Sequence, residues 1–192
     1  RSQGTDLSAF YGVKPVITAL QVGQVKIAAM GYSMASGVEM HYARQASTQG
    51  IAIQELETTA EAIAPLLALS TDLQIEVLLD TVKALDDSPD QIEQLLKKWL
   101  KGDTQSLYQQ TADELATQPE LADLAVSMLD DRNNRWMPAI EKLLEEESDS
   151  VVMVGAAHYG GDQGLIALLR ERGFNPVQYS WGGEPLNTEP AD

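Results

Sequence analysis

The chain has 192 residues, of which 44% are hydrophobic and 22% are charged, as is ordinary for a globular protein. Acidic residues outnumber basic ones by 29 to 13, and the net charge of −16 would repel nucleic acid and anionic lipid surfaces. No apolar run is long enough to cross a bilayer, and the absence of cysteine excludes disulfides, thiolate metal sites and a cysteine nucleophile.

The first part of the chain predicts a polar loop followed by helices. Residues 1–13 are polar with little periodicity, which indicates a loop or a frayed end. Dense apolar positions over residues 14–34 predict a helix that begins at Pro15. Residues 38–50 predict a second helix that ends at Gly50, because glycine commonly follows a helix C-terminus.

A short strand is predicted next. The segment IAIQEL, residues 51–56, is rich in β-branched residues and is bounded by a glycine and by a helix start. Thr58 and Glu61 predict a capping box, in which each side chain bonds the other residue's backbone amide. Pro65 is expected to shorten or bend the helix that follows.

Residues 70–147 predict a block of four or five short helices and no strand. Apolar residues recur there at the roughly 3.6-residue spacing of a helix. Serine, aspartate and proline recur at the starts of the repeats, and Gly102 closes one of them.

The C-terminal part predicts a strand, a helix and a second strand. Residues 151–154, VVMV, form a fully apolar strand. Asp162 is a suitable N-cap for the amphipathic helix GLIALLRER, which Gly173 ends. Residues 176–180 predict a returning strand, parallel to the first through a right-handed crossover.

These elements together predict an α/β fold: a small, mainly parallel sheet with a large helical insertion and a C-terminal βαβ unit. One α/β domain is expected over residues 14–181, followed by a mobile tail over residues 182–192.

His158 is the first candidate functional residue. It lies three residues after Gly155, just past the end of the predicted strand, where ligands of open parallel sheets bind. Gly155 permits a close approach, and Gly160 and Gly161 add an adaptable loop, so these three glycines are candidate substrate-binding residues. Imidazole is a common metal ligand and proton carrier. The structural alternative is a histidine that only bonds a backbone carbonyl and closes the strand.

The same region carries a family resemblance. The segment VVMVGAAHYGGDQGLIALLRERGFNPV resembles the closing motif of the TraB/GumN family, which is related to the Tiki metalloproteases. In that motif a strand leads into Gly-x-x-His, a glycine loop, a helix and Arg-Gly. Four upstream segments resemble further family motifs in the same order: SGVEMHYARQA, IQELETTAEAI, KKWLKGD and DDRNNRWMPAIEKLL. The resemblance extends from about Lys14 to Val177.

The resemblance implies a metal-dependent hydrolase scaffold, with peptidase activity in some relatives. Active members hold a divalent metal with two Gly-x-x-His motifs and an acidic residue, so His158 is the implied ligand for Mn²⁺, Co²⁺ or Zn²⁺. The first motif does not occur in residues 1–50, and His41 does not match it. Since one imidazole does not hold a catalytic metal, the expectation is a chain that lacks an N-terminal half, receives that half from elsewhere, or is inactive.

Three further residues are candidates for catalysis. Glu57 and Glu55 are two apart on the predicted strand and therefore point to one face; Glu57 is the candidate, with capping of the next helix as its alternative role. Glu39 stands where relatives carry aspartate. Arg132 and Asn133 match the family pattern and open a helix, where an arginine can clamp a carboxylate or a phosphoryl group.

The residues leave two other functions open. One is a non-catalytic domain that binds a peptide or other small ligand, or regulates through it, on the same scaffold. The other is an interaction surface on the helical block that directs self-association into a homo-oligomer. Expected partners are a peptide or small-molecule substrate, without nucleic acid or membrane insertion. The resemblance and the processed-looking start RSQGTD favour a periplasmic or envelope location over the cytoplasm.

Overall fold

A computed structural model describes residues 11–84, 90–115 and 119–186. Those residues form nine α-helices, whose bounds are α1 Pro15–Ala29, α2 Val38–Gln49, α3 Thr59–Ala68, α4 Thr71–Lys83, α5 Asp90–Lys101, α6 Thr104–Leu115, α7 Pro119–Met128, α8 Asp130–Glu145 and α9 Leu165–Glu171. Two 3₁₀ turns are added at Met34–Ser36 and Ala156–Tyr159.

The predicted α/β fold with a parallel sheet and a βαβ unit is wrong. Throughout the three described ranges, the only β pairing is an isolated antiparallel bridge between Tyr179 and Pro185. The segments predicted as strands at residues 51–56, 151–154 and 176–180 form no strand. Their apolar side chains are largely exposed: Ile53 is 63% accessible and Val151 is 80% accessible.

The error has a physical cause. A helix closes its hydrogen bonds within one segment, whereas a strand needs a second strand beside it. Apolar, β-branched segments indicate a preference for extended backbone, but they do not reveal whether a partner strand is present. Apart from the single bridge at Tyr179, no described segment pairs with these three, so they form no strand despite their apolar pattern.

The predicted helices are confirmed, and several of their ends follow the predicted residues. Pro15 occupies the first turn of α1, and Gly50 ends α2 in the left-handed conformation with φ of 69°. Thr58 and Glu61 form the predicted capping box, with the Thr58 amide 2.7 Å from Glu61 Oε2. The helix predicted near residue 165 is present, but its N-cap is Gly164 instead of Asp162.

The helical block predicted over residues 70–147 corresponds to five described helices, α4 to α8. None of the nine described helices is by itself long and apolar enough to cross a membrane. The pair formed by α3 and α4, which meet at a bend of 103°, satisfies that criterion by length and composition only.

The chain divides into two compact units, one ending at Gln91 and one beginning at Ile92. In the first unit, α1 packs against α4 and buries Val16 and Ala19. The Lys26 ammonium donates to the Ala84 carbonyl after α4, and Ser70 caps α4 by accepting from the Leu73 amide at 3.2 Å. The single domain predicted over residues 14–181 stays a prediction, and most of the predicted terminal loop and tail lies outside the described residues.

The second unit holds the larger apolar core. Its buried side chains come from α6, α7, α8 and α9 and from the residue between α7 and α8: Leu107, Leu121, Leu124, Leu129, Trp136, Met137, Ile140, Leu165 and Leu168. The 3₁₀ turn Ala156–Tyr159 packs against α6 and α9. This turn carries His158, so the core of the second unit fixes the position of the candidate residue.

Candidate functional site

His158 lies inside the second unit. It belongs to the 3₁₀ turn that follows Gly155, and its amide donates to the Gly155 carbonyl at 2.9 Å. Only 6% of the residue is accessible to solvent. Helix α8 supplies the side chains around it, because Asn133 and Trp136 lie on the same face of that helix, three residues apart.

Asn133 is fully buried and fixes His158 from two sides. Its amide nitrogen Nδ2 donates to the His158 carbonyl at 3.2 Å and to the Gln163 carbonyl at 2.8 Å. Its oxygen Oδ1 lies 2.8 Å from His158 Nδ1. The Asn133 atom that faces two carbonyl oxygens must be the donor nitrogen, so the atom that faces the His158 ring is the oxygen Oδ1. An amide oxygen can only accept, so the proton of this bond is carried by His158 Nδ1. In the neutral form of the ring, Nε2 is therefore the unprotonated nitrogen.

The His158 ring also packs against an aromatic residue. The ring centroids of His158 and Trp136 are 4.6 Å apart, and Trp136 is buried. Arg132 lies over the Trp136 ring, 4.9 Å from its centroid, and donates from Nη1 to the Met128 carbonyl at 3.0 Å. Arg132 and Asn133 thus both take part in the surroundings of His158, the first through Trp136 and the second directly.

The glycines after His158 are held tightly against α6. A Cβ at Gly160 would lie 2.4 Å from the Thr104 carbonyl oxygen, and one at Gly161 would lie 2.6 Å from the ring of Tyr108. The Gly161 amide donates to Gln105 Oε1 at 2.9 Å. These contacts require the absence of a side chain at both glycines.

A cleft of about 480 Å³ opens beside this glycine loop. Residues from the start of α6, from the glycine loop, from α9 and from the segment after α9 line it: Thr104, Gln105, Tyr159, Gly160, Gly161, Ile166, Ala167, Arg170, Pro176, Val177 and Gln178. Two of the predicted substrate-binding residues, Gly160 and Gly161, therefore line a cleft. Gly155 lies against the His158 ring instead, where a Cβ would be 3.4 Å from Cδ2.

An acidic group adjoins the loop on the side of Tyr108. The Tyr108 hydroxyl donates to the Asp130 carboxylate at 3.3 Å. Burial raises the pKa of Asp130, with Asp131 and Asp162 adding repulsion and the Tyr108 hydroxyl acting against it. Burial also raises the pKa of Tyr108, as does the Asp130 charge. The pair is a hydrogen-bonded link between α6 and the start of α8.

Glu57, the remaining candidate, belongs to the first unit. It directly precedes Thr58, the N-cap of α3, and the carboxylate of the capping box is that of Glu61. The capping role considered for Glu57 thus falls to the glutamate four residues later.

The described residues do not supply a complete metal site. In residues 11–84, 90–115 and 119–186, no group of three or more histidine, aspartate or glutamate side chains is arranged to hold a metal ion. A catalytic divalent metal needs about three protein ligands, so His158 would have to share the ion with ligands from outside this set.

The model of the TraB/PrgY/gumN family matches residues 1–178. The chain belongs to that family. The match extends from the first residue through the His158 loop, α9 and the start of the last segment, which agrees with the order of motifs in the sequence. A search of the curated proteins and of the solved structures finds no similar chain.

Three residues of the loop and its cleft were not predicted for this TraB/PrgY/gumN chain: Tyr108, Gln105 and Arg170. Tyr108 and Gln105 lie on α6, more than 50 residues before the glycines they contact, so no local pattern marks them. Arg170 lies in the last turn of a predicted helix, where a basic residue interacts favourably with the helix dipole. Its position therefore indicates a structural role and does not point to a cleft.

Proposed function

We propose that this TraB/PrgY/gumN chain contributes one histidine to a metal-dependent hydrolase site that acts on peptides. The observation that carries the proposal is the bond from His158 Nδ1 to Asn133 Oδ1. A metal-binding histidine needs one unprotonated ring nitrogen and commonly donates its other ring N–H to a neighbouring oxygen. When the ring is neutral, the Asn133 side chain keeps the proton of His158 on Nδ1, so that Nε2 is the unprotonated nitrogen.

Further ligands belong to the proposal. A second imidazole and a carboxylate, both from outside the described residues, would complete a set of the usual size. Mn²⁺, Co²⁺ and Zn²⁺ are the proposed ions. Within the chain's own residues, the role proposed for Asn133 is to orient the imidazole and to keep its proton on Nδ1.

The test is a metal titration followed by thermal unfolding. A ligand that binds only the folded state raises the melting temperature, so Mn²⁺, Co²⁺ or Zn²⁺ should stabilise the wild-type protein. His158→Asn removes the ring atom Nε2 but keeps a donor close to the position of Nδ1, and it should abolish the shift. His41→Asn is the matched control, because His41 is exposed on α2 and is the only other histidine.

Two results would count against a metal at His158. The first is a wild-type protein whose melting temperature does not respond to any of the three ions. The second is a response that His158→Asn retains in full, since the metal would then bind elsewhere on this strongly acidic chain.

A second function, binding of a peptide or small ligand without turnover, is favoured by the cleft beside the glycine loop. Its volume of about 480 Å³ falls in the range of about 300–1,000 Å³ found for small-ligand sites. Ligand binding that persists in EDTA, without hydrolysis when the metal is restored, would favour this function over the hydrolase.

A further inference from the structure

We infer that the cleft beside Gly160 and Gly161 binds the free C-terminal carboxylate of an apolar peptide, with Arg170 as the residue that recognises the charge. The inference rests on the ligand-binding function proposed above and does not involve a metal. It is carried by three observations: the apolar walls of the cleft, an arginine that has no partner among the described residues, and polar side chains whose hydrogen-bonding groups those residues do not fully use.

The walls of the cleft are apolar on two sides. Ile166 and Ala167 lie on α9, and Pro176 and Val177 follow that helix. All of these side chains are only partly buried or exposed, so apolar area there can still be removed from water by a ligand. An apolar peptide side chain fits this requirement.

Arg170 gives the cleft one positive charge. Its guanidinium makes no hydrogen bond or ion pair with any residue that the structure describes, although acidic residues outnumber basic ones by 29 to 13. Arg172, two residues later, pairs with Glu141 at 2.7 Å. A guanidinium matches a carboxylate in shape and binds it through two parallel hydrogen bonds, so an unpaired arginine at a cleft favours a carboxylate ligand.

Polar groups around the cleft suit the peptide backbone next to such a carboxylate. Gln105 uses its oxygen to accept from Gly161 at 2.9 Å, and its amide group makes no bond to a described residue. Gln178 uses its amide group to donate to the Gly102 carbonyl at 2.8 Å, and its oxygen likewise has no described partner. One glutamine is thus available to donate to a peptide carbonyl and the other to accept from a peptide N–H.

The net charge narrows the class of anion. At −16 the chain repels ligands with several negative charges, and a single arginine balances only one. A monocarboxylate with an apolar body is therefore the matching chemistry. Both a peptide C-terminus and a simple fatty acid carry such a group, and only the peptide has amides for the two glutamines.

The experiment is a titration of the full chain, monitored by amide chemical shifts, in the presence of EDTA. The probes are N-acetyl-leucyl-leucine, its C-terminal amide and octanoate. Because the amide loses the charge-assisted bond to Arg170, we expect it to bind at least ~5-fold more weakly than the acid. Octanoate should also bind more weakly than the peptide acid, because it has no amides for the two glutamines. EDTA removes divalent metal ions, so the result does not depend on whether His158 binds a metal.

Three variants assign the effect to the cleft. Arg170→Gln should lower the affinity for the peptide acid by ~5-fold or more and leave the affinity for the peptide amide unchanged, since the substitution removes only the positive charge. Lys142→Gln is the matched control: it removes one positive charge from an exposed position on α8 that does not line the cleft, and both affinities should remain. Ala167→Leu should lower the affinities for the peptide acid and for its amide, because the larger side chain on α9 fills part of the cleft.

Equal affinity for the acid and the amide, or an acid affinity that Arg170→Gln leaves unchanged, would overturn the inference while the broader ligand-binding function stands. Absence of binding by all three probes would overturn both. Octanoate binding as tight as the peptide acid would overturn the peptide assignment, because the glutamines would then contribute nothing.

Discussion

Asn133 and His158 hold each other through both side chain and backbone. Asn133 Oδ1 lies 2.8 Å from His158 Nδ1, and Asn133 Nδ2 donates to the His158 carbonyl at 3.2 Å. The same Nδ2 reaches the Gln163 carbonyl at 2.8 Å, so one buried side chain joins α8 to both ends of the loop between residues 158 and 163. The loop geometry that the proposals require therefore depends on Asn133.

Asn133→Ala should lower the free energy of unfolding by about 3 kcal/mol or more. The substitution leaves the buried His158 carbonyl and the imidazole N–H without a partner, at about 1–3 kcal/mol each, and it also removes the bond to the partly exposed Gln163 carbonyl. Urea unfolding measures the change. Asn134→Ala is the control: that residue also bonds Asp130 and Gln163 but is exposed, so its cost should stay below about 1 kcal/mol. Equal costs for the two variants would contradict the role of Asn133.

The ring nitrogens of His158 should differ in protonation in a way that can be measured directly. Because Nδ1 donates to Asn133, long-range ¹H–¹⁵N correlation spectra should show the Nδ1–H tautomer for His158 when the ring is neutral. His41 is exposed, and none of the described residues accepts a bond from its Nδ1, so it should show the ordinary mixture dominated by Nε2–H. The chain has only these two histidines, which makes the assignment simple. An Nε2–H signal for His158 would contradict the orientation of Asn133.

Gly160→Ala should destabilise the second unit by about 2–3 kcal/mol, because the added methyl group overpacks a well-filled contact. Its Cβ would lie 2.4 Å from the Thr104 carbonyl oxygen and 2.9 Å from Tyr108 Cβ, and the first of these is a backbone atom that cannot turn away. Gly23→Ala provides the comparison: apart from the neighbouring backbone of α1, no atom of the described residues lies within 4 Å of its added Cβ, and α1 should gain about 0.5–1 kcal/mol. Thermal unfolding of the two variants should therefore shift in opposite directions.

The carboxyl of Asp130 should titrate above its ordinary value of 3.8, since burial raises its pKa. The Tyr108 hydroxyl favours the ionised form, so Tyr108→Phe should raise the pKa of Asp130 further. The folded protein binds this proton more tightly than the unfolded chain, so the free energy of unfolding falls as pH rises from 3.8 through the folded pKa. Tyr108→Phe should steepen that fall.

Carbon-detected NMR titration of the Asp130 carboxyl gives the pKa in both proteins. Tyr42→Phe, at an exposed tyrosine on α2, should leave it unchanged. An Asp130 pKa that falls in Tyr108→Phe would show that the tyrosine raises the pKa through its contribution to burial more than it lowers it through its hydrogen bond.

Local sequence determined the helices and several of their ends. Helical periodicity, the Thr58–Glu61 capping box and the glycine after α2 act over a few residues, and the structure contains each of them. The order of motifs around the Gly155–His158 segment also identified the TraB/PrgY/gumN family, which the family match confirms. The buried position of Trp136 follows from the apolar face of α8 in the same way.

The tertiary structure alone decided what surrounds His158 and what became of the predicted strands. Contacts such as Asn133 with His158, or Gln105 with Gly161, join residues 25 and 56 positions apart, and no local periodicity encodes them. Strand formation likewise depends on a neighbour that a single segment cannot supply, so the apolar segments near residues 51 and 151 remain unpaired. A helix satisfies its own backbone, whereas a sheet or a site requires distant parts of the chain to meet.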